Sequence, residues 1–221
     1  MSSSNRLYLF GYLAFLSIQY IVGNRPAEKY DFVNDVLTQS RYKRYVLSPN
    51  KWPYQTLTWQ LRNDHITDAD RFIIRHTLHR AFNLWASASS LMFIELPVGH
   101  QWKPDITVAF LKGKHGDNLP FDGPEGIVAH AFYPAVGVLH FDADENWTLN
   151  RFEGINLYQA AVHEIGHLLG LEHSTDTRAV MFPKNRKFDL EYNLADDDIR
   201  AIRKLYPLKV ERTRMYGYYR H

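Results

Sequence analysis

The segment His163-Glu164-Ile165-Gly166-His167-Leu168-Leu169-Gly170-Leu171-Glu172-His173 constrains this 221-residue chain more than any other. His163 and His167 stand four residues apart, so on a helix both imidazoles project from one face. Gly170 can adopt a positive φ, end the helix and turn the chain so that His173 supplies a third nitrogen. Three neutral imidazoles leave one position of a tetrahedral zinc open, whereas a structural site is closed by four protein ligands. Glu164, beside the first histidine, can take the proton of a water held at that open position. The competing reading is an amphipathic helix whose histidines are satisfied by ordinary hydrogen bonds. The length and fixed spacing of the motif, which follows the extended zincin pattern, argue against it.

Cysteine is absent, so any metal must sit on His, Asp or Glu, and disulfides, thiolate catalysis and cysteine zinc fingers are excluded. At 45% hydrophobic and 23% charged, the composition is that of a globular domain with short appendages. A net charge of +2 is too mild to indicate nucleic acid as a partner.

The chain divides into four stretches. Arg6 precedes an apolar run from Leu7 to Val22, short for a membrane span but suited to the apolar core of a secretory signal. Residues 1–23 therefore read as a signal peptide with Gly23 at the cleavage position; a retained signal anchor or a buried helix are the alternatives. Residues 24–44 read as a short propeptide, polar and ending in Arg41-Tyr42-Lys43-Arg44, a site of the type that furin-like proteases cut. Cleavage after Arg44 would make Tyr45 the new amino terminus; a solvated basic loop is the plainer reading. Residues 45–207 read as one folded domain, and 208–221 as a basic solvated tail.

Within that domain Thr56 to Leu61 alternates like a half-buried strand, and Thr67 caps a helix whose Leu78, Phe82 and Trp85 form a core face. Leu91 to Leu96, Asp105 to Leu111, Ile127 to Phe132 and Val138 to Phe141 read as strands, and Lys112 to Pro124 as a long loop. Leu157 to Leu169 and Asp196 to Leu205 read as helices, the latter stopping before Pro207.

His115, Asp117, His130 and His140 form a second set. Three imidazoles and a carboxylate can close a tetrahedral zinc, although an isolated His in a strand is usually a satisfied core or surface residue. Asp142-Ala143-Asp144-Glu145 can equally be a solvated acidic turn.

The motif helix, with Ser174 directly after His173 and Ala179-Val180-Met181-Phe182-Pro183 downstream, resembles the matrix metalloproteinase (matrixin) branch of the metzincins. The resemblance covers about Tyr45 to Pro207. It implies an α+β metzincin/zincin fold: a twisted, five-stranded, mostly parallel sheet with three helices, and a cleft between a large upper and a small lower subdomain. It implies a secreted zinc endopeptidase acting on extracellular, matrix-type polypeptides, with Glu164 as general base and zinc on His163, His167 and His173. Met181 matches the Met-turn methionine beneath the zinc. Ala129 matches the edge-strand position whose carbonyl holds an extended substrate. Gln159 and the segment after Met181, including Pro183, match the specificity pocket beside the zinc.

The run from His115 to Pro124 resembles the family's structural-zinc and calcium loop, which implies two zinc ions in all, the second on His115, Asp117, His130 and His140. Calcium is then implied on Asp122, Asp142 and Glu145 with the carbonyls of Gly123, Glu125 and Ile127, in keeping with its preference for hard oxygen ligands. Protein inhibitors of the family are implied partners, and a monomer is expected.

Four departures stand out. Without Cys, the family's thiolate latency device cannot operate. The stretch Ala135 to Leu139 is shorter than the family's Gly-rich segment, so a second calcium site is expected to be absent or altered, although Asp105 matches one of its contributors. Asn185 replaces a common Tyr in the pocket loop. A minimal form, without a hemopexin-like domain, is the expectation. Asp197 matches an acid that pairs with a new amino terminus, here Tyr45, and Asn146-Trp147-Thr148 is a glycosylation sequon. The rival from another class is a non-cleaving metal-binding scaffold or adhesion module; a membrane-tethered form using the anchor differs in location only.

Overall fold

Alternation of apolar and polar residues sets the centre of the sheet. In Thr56–Leu61 (β2) Leu57, Trp59 and Leu61 are fully buried while the residues between them are half-exposed. The computed structural model describes residues 18–22, 45–184 and 187–208. Its elements are β1 (Ile18–Val22), β2, α1 (Asp68–Ala88), β3 (Met92–Glu95), β4 (Ile106–Leu111), β5 (Ile127–Phe132), β6 (Val138–Asp142), β7 (Trp147–Thr148), β8 (Ile155–Asn156), α2 (Leu157–Leu168) and α3 (Asp196–Leu205). Most of the signal segment, the stretch 23–44 with Arg44, the pocket residue Asn185 and the tail from 209 lie outside the described residues.

The sheet runs in the order β1-β5-β6-β4-β2-β3. β3, β2, β4 and β6 are mutually parallel, and β5 is antiparallel to β6. These five strands and three helices are the expected α+β metzincin architecture. The difference lies at the margin: β1 adds a sixth strand, antiparallel to β5, with Ile21 opposite Ala129. The two-residue pair β7–β8, too short to leave a periodicity, also went unanticipated. No helix of the described residues is long and apolar enough to cross a membrane.

Helix α1 begins where its cap dictates. The Thr67 hydroxyl accepts from the Asp70 amide at 3.2 Å, and Asp68 and Asp70 sit favourably in the first turn. Its buried face carries Leu78, Phe82 and Trp85 onto the sheet, where Phe82 meets Trp59 and Phe93 with ring centroids 4.9 Å apart in both pairs. Burying each such side chain contributes about 1.5–3 kcal/mol. Trp85 Nε1 also donates to the Val162 carbonyl at 2.8 Å, tying α1 to α2 through a buried polar bond.

At the outer end of the sheet Arg75 donates twice to Glu95, both bonds 2.7 Å, and His79 approaches the same carboxylate at 2.8 Å. Burial pushes the Glu95 carboxyl up, but the bonds from Arg75 and His79 outweigh it and hold the group below its ordinary value of 4.5. A depressed folded-state value stabilises the fold above the unfolded pKa and loses that stability as pH falls through the folded one. Glu95→Gln is therefore expected to lower the melting temperature at neutral pH and to flatten its dependence below about pH 4.5. Thermal melts of both proteins across the acid range check this; parallel curves would refute it.

Candidate active site

Helix α2 carries the motif because nearly every residue on it is buried and its ends are chemically fixed. Asn156 Oδ1 accepts from the Gln159 amide at 3.0 Å to cap the N-terminus. At the C-terminus the Gly170 amide donates to the His167 carbonyl and the Leu171 amide to the Gly166 carbonyl, both 3.0 Å. That is the Schellman arrangement, and Gly170 takes the required positive φ of 95°. A Cβ there would lie 2.7 Å from the Asn50 carbonyl oxygen, so side-chain space is lacking as well. The turned chain is then held by Leu47, which bridges Leu171, and by the Glu172 amide, which donates to the Val46 carbonyl at 3.0 Å. These contacts deliver His173 to the helix face.

The three imidazoles converge, with ring centroids 4.8 to 5.3 Å apart. His163 Nδ1 lies 2.6 Å from the Val180 carbonyl and His167 Nδ1 2.7 Å from the Leu171 carbonyl. Each Nδ1 therefore carries the donated proton, and each Nε2 presents a bare lone pair. Those two Nε2 atoms face each other at 3.1 Å, a contact that two lone pairs do not make unless a cation lies between them. His173 Nε2 is buried without a hydrogen-bond partner. A tetrahedral zinc with nitrogen ligands at the usual bond length separates those ligands by roughly 3.3 Å, so the set fits zinc. Burial, then the neighbouring His163 and His173, drives His167 well below the usual histidine value, and burial takes His173 down to about 4. Both are poised as neutral ligands.

Glu164 is fully buried, and neither carboxyl oxygen has a hydrogen-bond partner. Desolvation pushes its pKa well up. A buried carboxyl with free oxygens beside a metal-binding set is suited to moving a proton.

Met181 lies against α2 between its two histidines: a Cβ on Gly166 would come 2.2 Å from Met181 Sδ and 3.0 Å from Trp85 Cζ2. Gly166→Ala is thus expected to destabilise the fold by about 1–3 kcal/mol through overpacking, as read by denaturant titration; an unchanged midpoint would show that the methionine yields freely. The Met181 segment is anchored from α3. The Asp198 carboxylate accepts from the amides of Val180, Met181 and Ala195 at 2.8 to 3.2 Å, while burial pushes it up to about 6 against those three bonds. Asp197, the matched partner for Tyr45, accepts from the Ser174 hydroxyl at 2.6 Å.

The second cluster also closes on itself. Asp117 Oδ2 lies 2.9 Å from His115 Nε2, 2.7 Å from His130 Nε2 and 2.9 Å from His140 Nδ1. His115 Nδ1 is engaged by the Gly113 carbonyl at 2.8 Å, which leaves its Nε2 bare and facing a carboxylate. The repulsion of such a pair fits a cation at the centre. Burial raises the Asp117 pKa, but bonds from His130 and the Leu119 amide outweigh it and leave the group at about 2. Desolvation, followed by the neighbouring His130, takes His140 down to about 4.

Among the described residues these are the two groups whose ligand atoms all lie within 4.8 Å of one another. The carboxylates of Asp122, Asp142 and Glu145 do not form a third such group, yet they share one neighbourhood. Burial and nearby acids raise Asp142 and Glu145, and Asp142 Oδ2 and Glu145 Oε1 are buried without partners. Gly123 and Glu125 lie on the loop that leads into β5, whose first residue Ile127 donates its amide to Asp122 Oδ1 at 3.0 Å. Asp105 is otherwise engaged. Its oxygens accept from the Tyr54 hydroxyl and from the amide and hydroxyl of Thr58, at 2.6 to 2.7 Å.

Ala129 sits in β5 between its two neighbours, opposite Phe141 of β6 and Ile21 of β1. Gln159 grips the loop beyond Met181, accepting from the Asp189 amide at 3.0 Å and donating to the Lys187 carbonyl at 3.2 Å; Pro183 is exposed at the start of that loop. The carbonyls of Val180 and Leu171, which orient the ligands, are backbone atoms with no sequence signal; Asp198 was visible only as one of the Asp197-Asp198 pair that resembles the family's pair at the start of the last helix, with no hint that it holds the Met181 segment.

The family described as Matrixin matches residues 51–207. Interstitial collagenase of Oryctolagus cuniculus is 42% identical over 168 residues, 74% of this chain and 35% of that protein. Stromelysin-3 of Mus musculus is 41% identical over 183 residues, covering 78% and 35%, and matrix metalloproteinase-16 of Mus musculus is 39% identical over 178, covering 75% and 29%. The chain spans about a third of the length of these curated relatives.

Proposed function

The chain belongs to the matrixin family, and from that premise we propose that it is a zinc-dependent endopeptidase that hydrolyses extracellular, matrix-type polypeptides. The observation that carries the reading is the pair of partnerless Glu164 oxygens beside three converging imidazoles. His163, His167 and His173 would hold the catalytic zinc, which supplies Lewis acidity and a water of lowered pKa at its open position. Glu164, both of whose oxygens are free, would take a proton from the attacking water and return it to the departing amine nitrogen. A substrate lies extended along β5, held through the Ala129 carbonyl, so main-chain bonds give affinity with little sequence demand. Gln159 shapes the adjacent specificity pocket by fixing the loop that starts at Pro183.

His115, Asp117, His130 and His140 would hold a structural zinc. Calcium on Asp122, Asp142 and Glu145, with the carbonyls of Gly123, Glu125 and Ile127, would offset the mutual repulsion of these neighbouring carboxylates. The protein acts as a secreted monomer cut after Arg44, and protein inhibitors of the family would dock along the same edge. Asp197 then has a candidate partner in the new ammonium group of Tyr45.

The test is cleavage of a quenched peptide library by the zinc- and calcium-loaded chain after processing at Arg44. Cleavage abolished by chelator and restored by zinc is expected. Bound zinc with an intact fold and no cleavage of any peptide would replace the peptidase with a metal-binding scaffold.

A further inference from the structure

The last carbonyls of a helix have no partner inside it, and those of α2 are taken by donors from elsewhere in the chain. Trp52 Nε1 donates to the Leu168 carbonyl at 2.8 Å, the Tyr206 hydroxyl to the Leu169 carbonyl at 3.0 Å and the Ser48 amide to the Gly170 carbonyl at 2.8 Å. The Leu171 carbonyl is the one that engages His167 Nδ1. Every carbonyl of the stretch Leu168 to Leu171, which joins the second histidine to the third, is thus held. The Tyr206 oxygen has a further partner, because it accepts from the Trp52 amide at 3.0 Å. One buried oxygen therefore ties the turn to the very segment, Ser48 to Trp52, that restrains it.

We propose that Tyr206 is a positioning residue for the third metal ligand, its hydroxyl fixing the Leu169–Leu171 turn and so the place at which His173 meets His163 and His167. Gly170 lies at positive φ with no side chain to limit rotation, so the turn takes its shape from these hydrogen bonds. His173 is three residues further on, up to about 10 Å away along the chain. A rotation of about 10° at Gly170 moves an atom at that reach by roughly 1.7 Å, whereas metal–ligand distances tolerate about 0.2 Å. Tyr206 can hold the turn because it is itself held. Its side chain is buried just past the end of α3, its amide donates to the Ile202 carbonyl at 2.8 Å, and its carbonyl accepts from the Ser90 amide at 3.2 Å. Burial pushes the phenol up to about 12, so it remains a donor at neutral pH. Helix α3 thus reaches the site twice: Asp198 in its first turn holds the Met181 segment, and Tyr206 behind its last turn holds the approach to His173.

The experiment uses the full chain carrying Tyr206→Phe, which deletes one oxygen and keeps the ring. Chelator competition measures the affinity of each zinc equivalent, and cobalt in place of zinc reports ligand geometry through its visible absorption. The site with an open position is the one whose cobalt spectrum responds to azide. The expected result is that this site binds zinc about tenfold more weakly, the lower end of the range for groups that orient ligands, and that its cobalt bands shift. A zinc equivalent whose cobalt spectrum ignores azide keeps its affinity. Trp52→Phe removes the indole donor to Leu168; it is expected to act in the same direction, and it carries the test if the Tyr206 variant does not fold. Leu78→Ala opens a cavity between α1 and the sheet, lowers the melting temperature and leaves the affinities alone, which separates positioning from lost stability. Unchanged affinity and an unchanged cobalt spectrum in Tyr206→Phe would overturn the proposal. So would equal weakening of every zinc equivalent, or the same weakening in Leu78→Ala. The proposal rests on the peptidase reading only for its kinetic consequence, a fall in kcat at saturating zinc with KM little changed. If no form cleaves any peptide, that reading fails, and the affinities and spectra still decide what Tyr206 does.

Discussion

Glu164→Gln lowers kcat/KM for peptide cleavage by about 10²–10⁴-fold, the usual contribution of a positioned general base, and leaves zinc stoichiometry unchanged. The carboxylate is fully buried and neither oxygen has a partner, so its removal breaks no hydrogen bond that the fold depends on. The amide of Gln keeps the shape and cannot accept the proton. On the proposed reading metal is held by three imidazoles whose orientation is set by Val180, Leu171 and the Leu47–Leu171 bridge, none of which the substitution touches. Activity and metal content are therefore expected to separate cleanly. A Gln variant that cleaves within a few-fold of the wild type would assign proton transfer elsewhere. One that loses zinc as well would make Glu164 a structural support for the ligands.

The motif on α2 and the core face of α1 were legible because both depend on local periodicity. Histidines four apart, a glycine at the helix end and a Thr cap announce themselves within a turn or two of chain. The five central strands were legible for the same reason, through alternation at Leu57, Trp59 and Leu61 and at Ile106 and Val108. What the sequence hid is long-range. The pairing of Ile18–Val22 with β5 joins segments more than a hundred residues apart, and an apolar run reads as a signal as readily as a strand. Asp105 shows the same limit: it matches a calcium contributor by position, while the donors to its carboxylate come from Tyr54 and Thr58, about fifty residues earlier in the chain.

His130→Ala removes one of two zinc equivalents and lowers the melting temperature by about 10 °C or more, since structural zinc sites contribute folding free energy outright. The expected size follows from what the cluster joins. His115 and Asp117 lie on the loop between β4 and β5, which has no regular element of its own, whereas His130 and His140 face each other across the β5–β6 pair. With no disulfide in the chain, a metal at this point is the strongest available link between loop and sheet. Withdrawing one ligand leaves the Asp117 carboxylate against His115 and His140 with no cation to reconcile them. The effect is also expected to reach the proposed substrate edge, because His130 directly follows Ala129 on β5. Loosening that strand weakens the main-chain bonds that hold an extended peptide while leaving Glu164 and the catalytic histidines in place on α2. Residual activity is therefore expected to show a raised KM with a smaller change in kcat. Elemental analysis, thermal melts and steady-state kinetics on the same preparation check all three. An unchanged zinc count would remove the structural ion from this cluster, and a fall in kcat alone would show that β5 and the catalytic helix are not separable in this way.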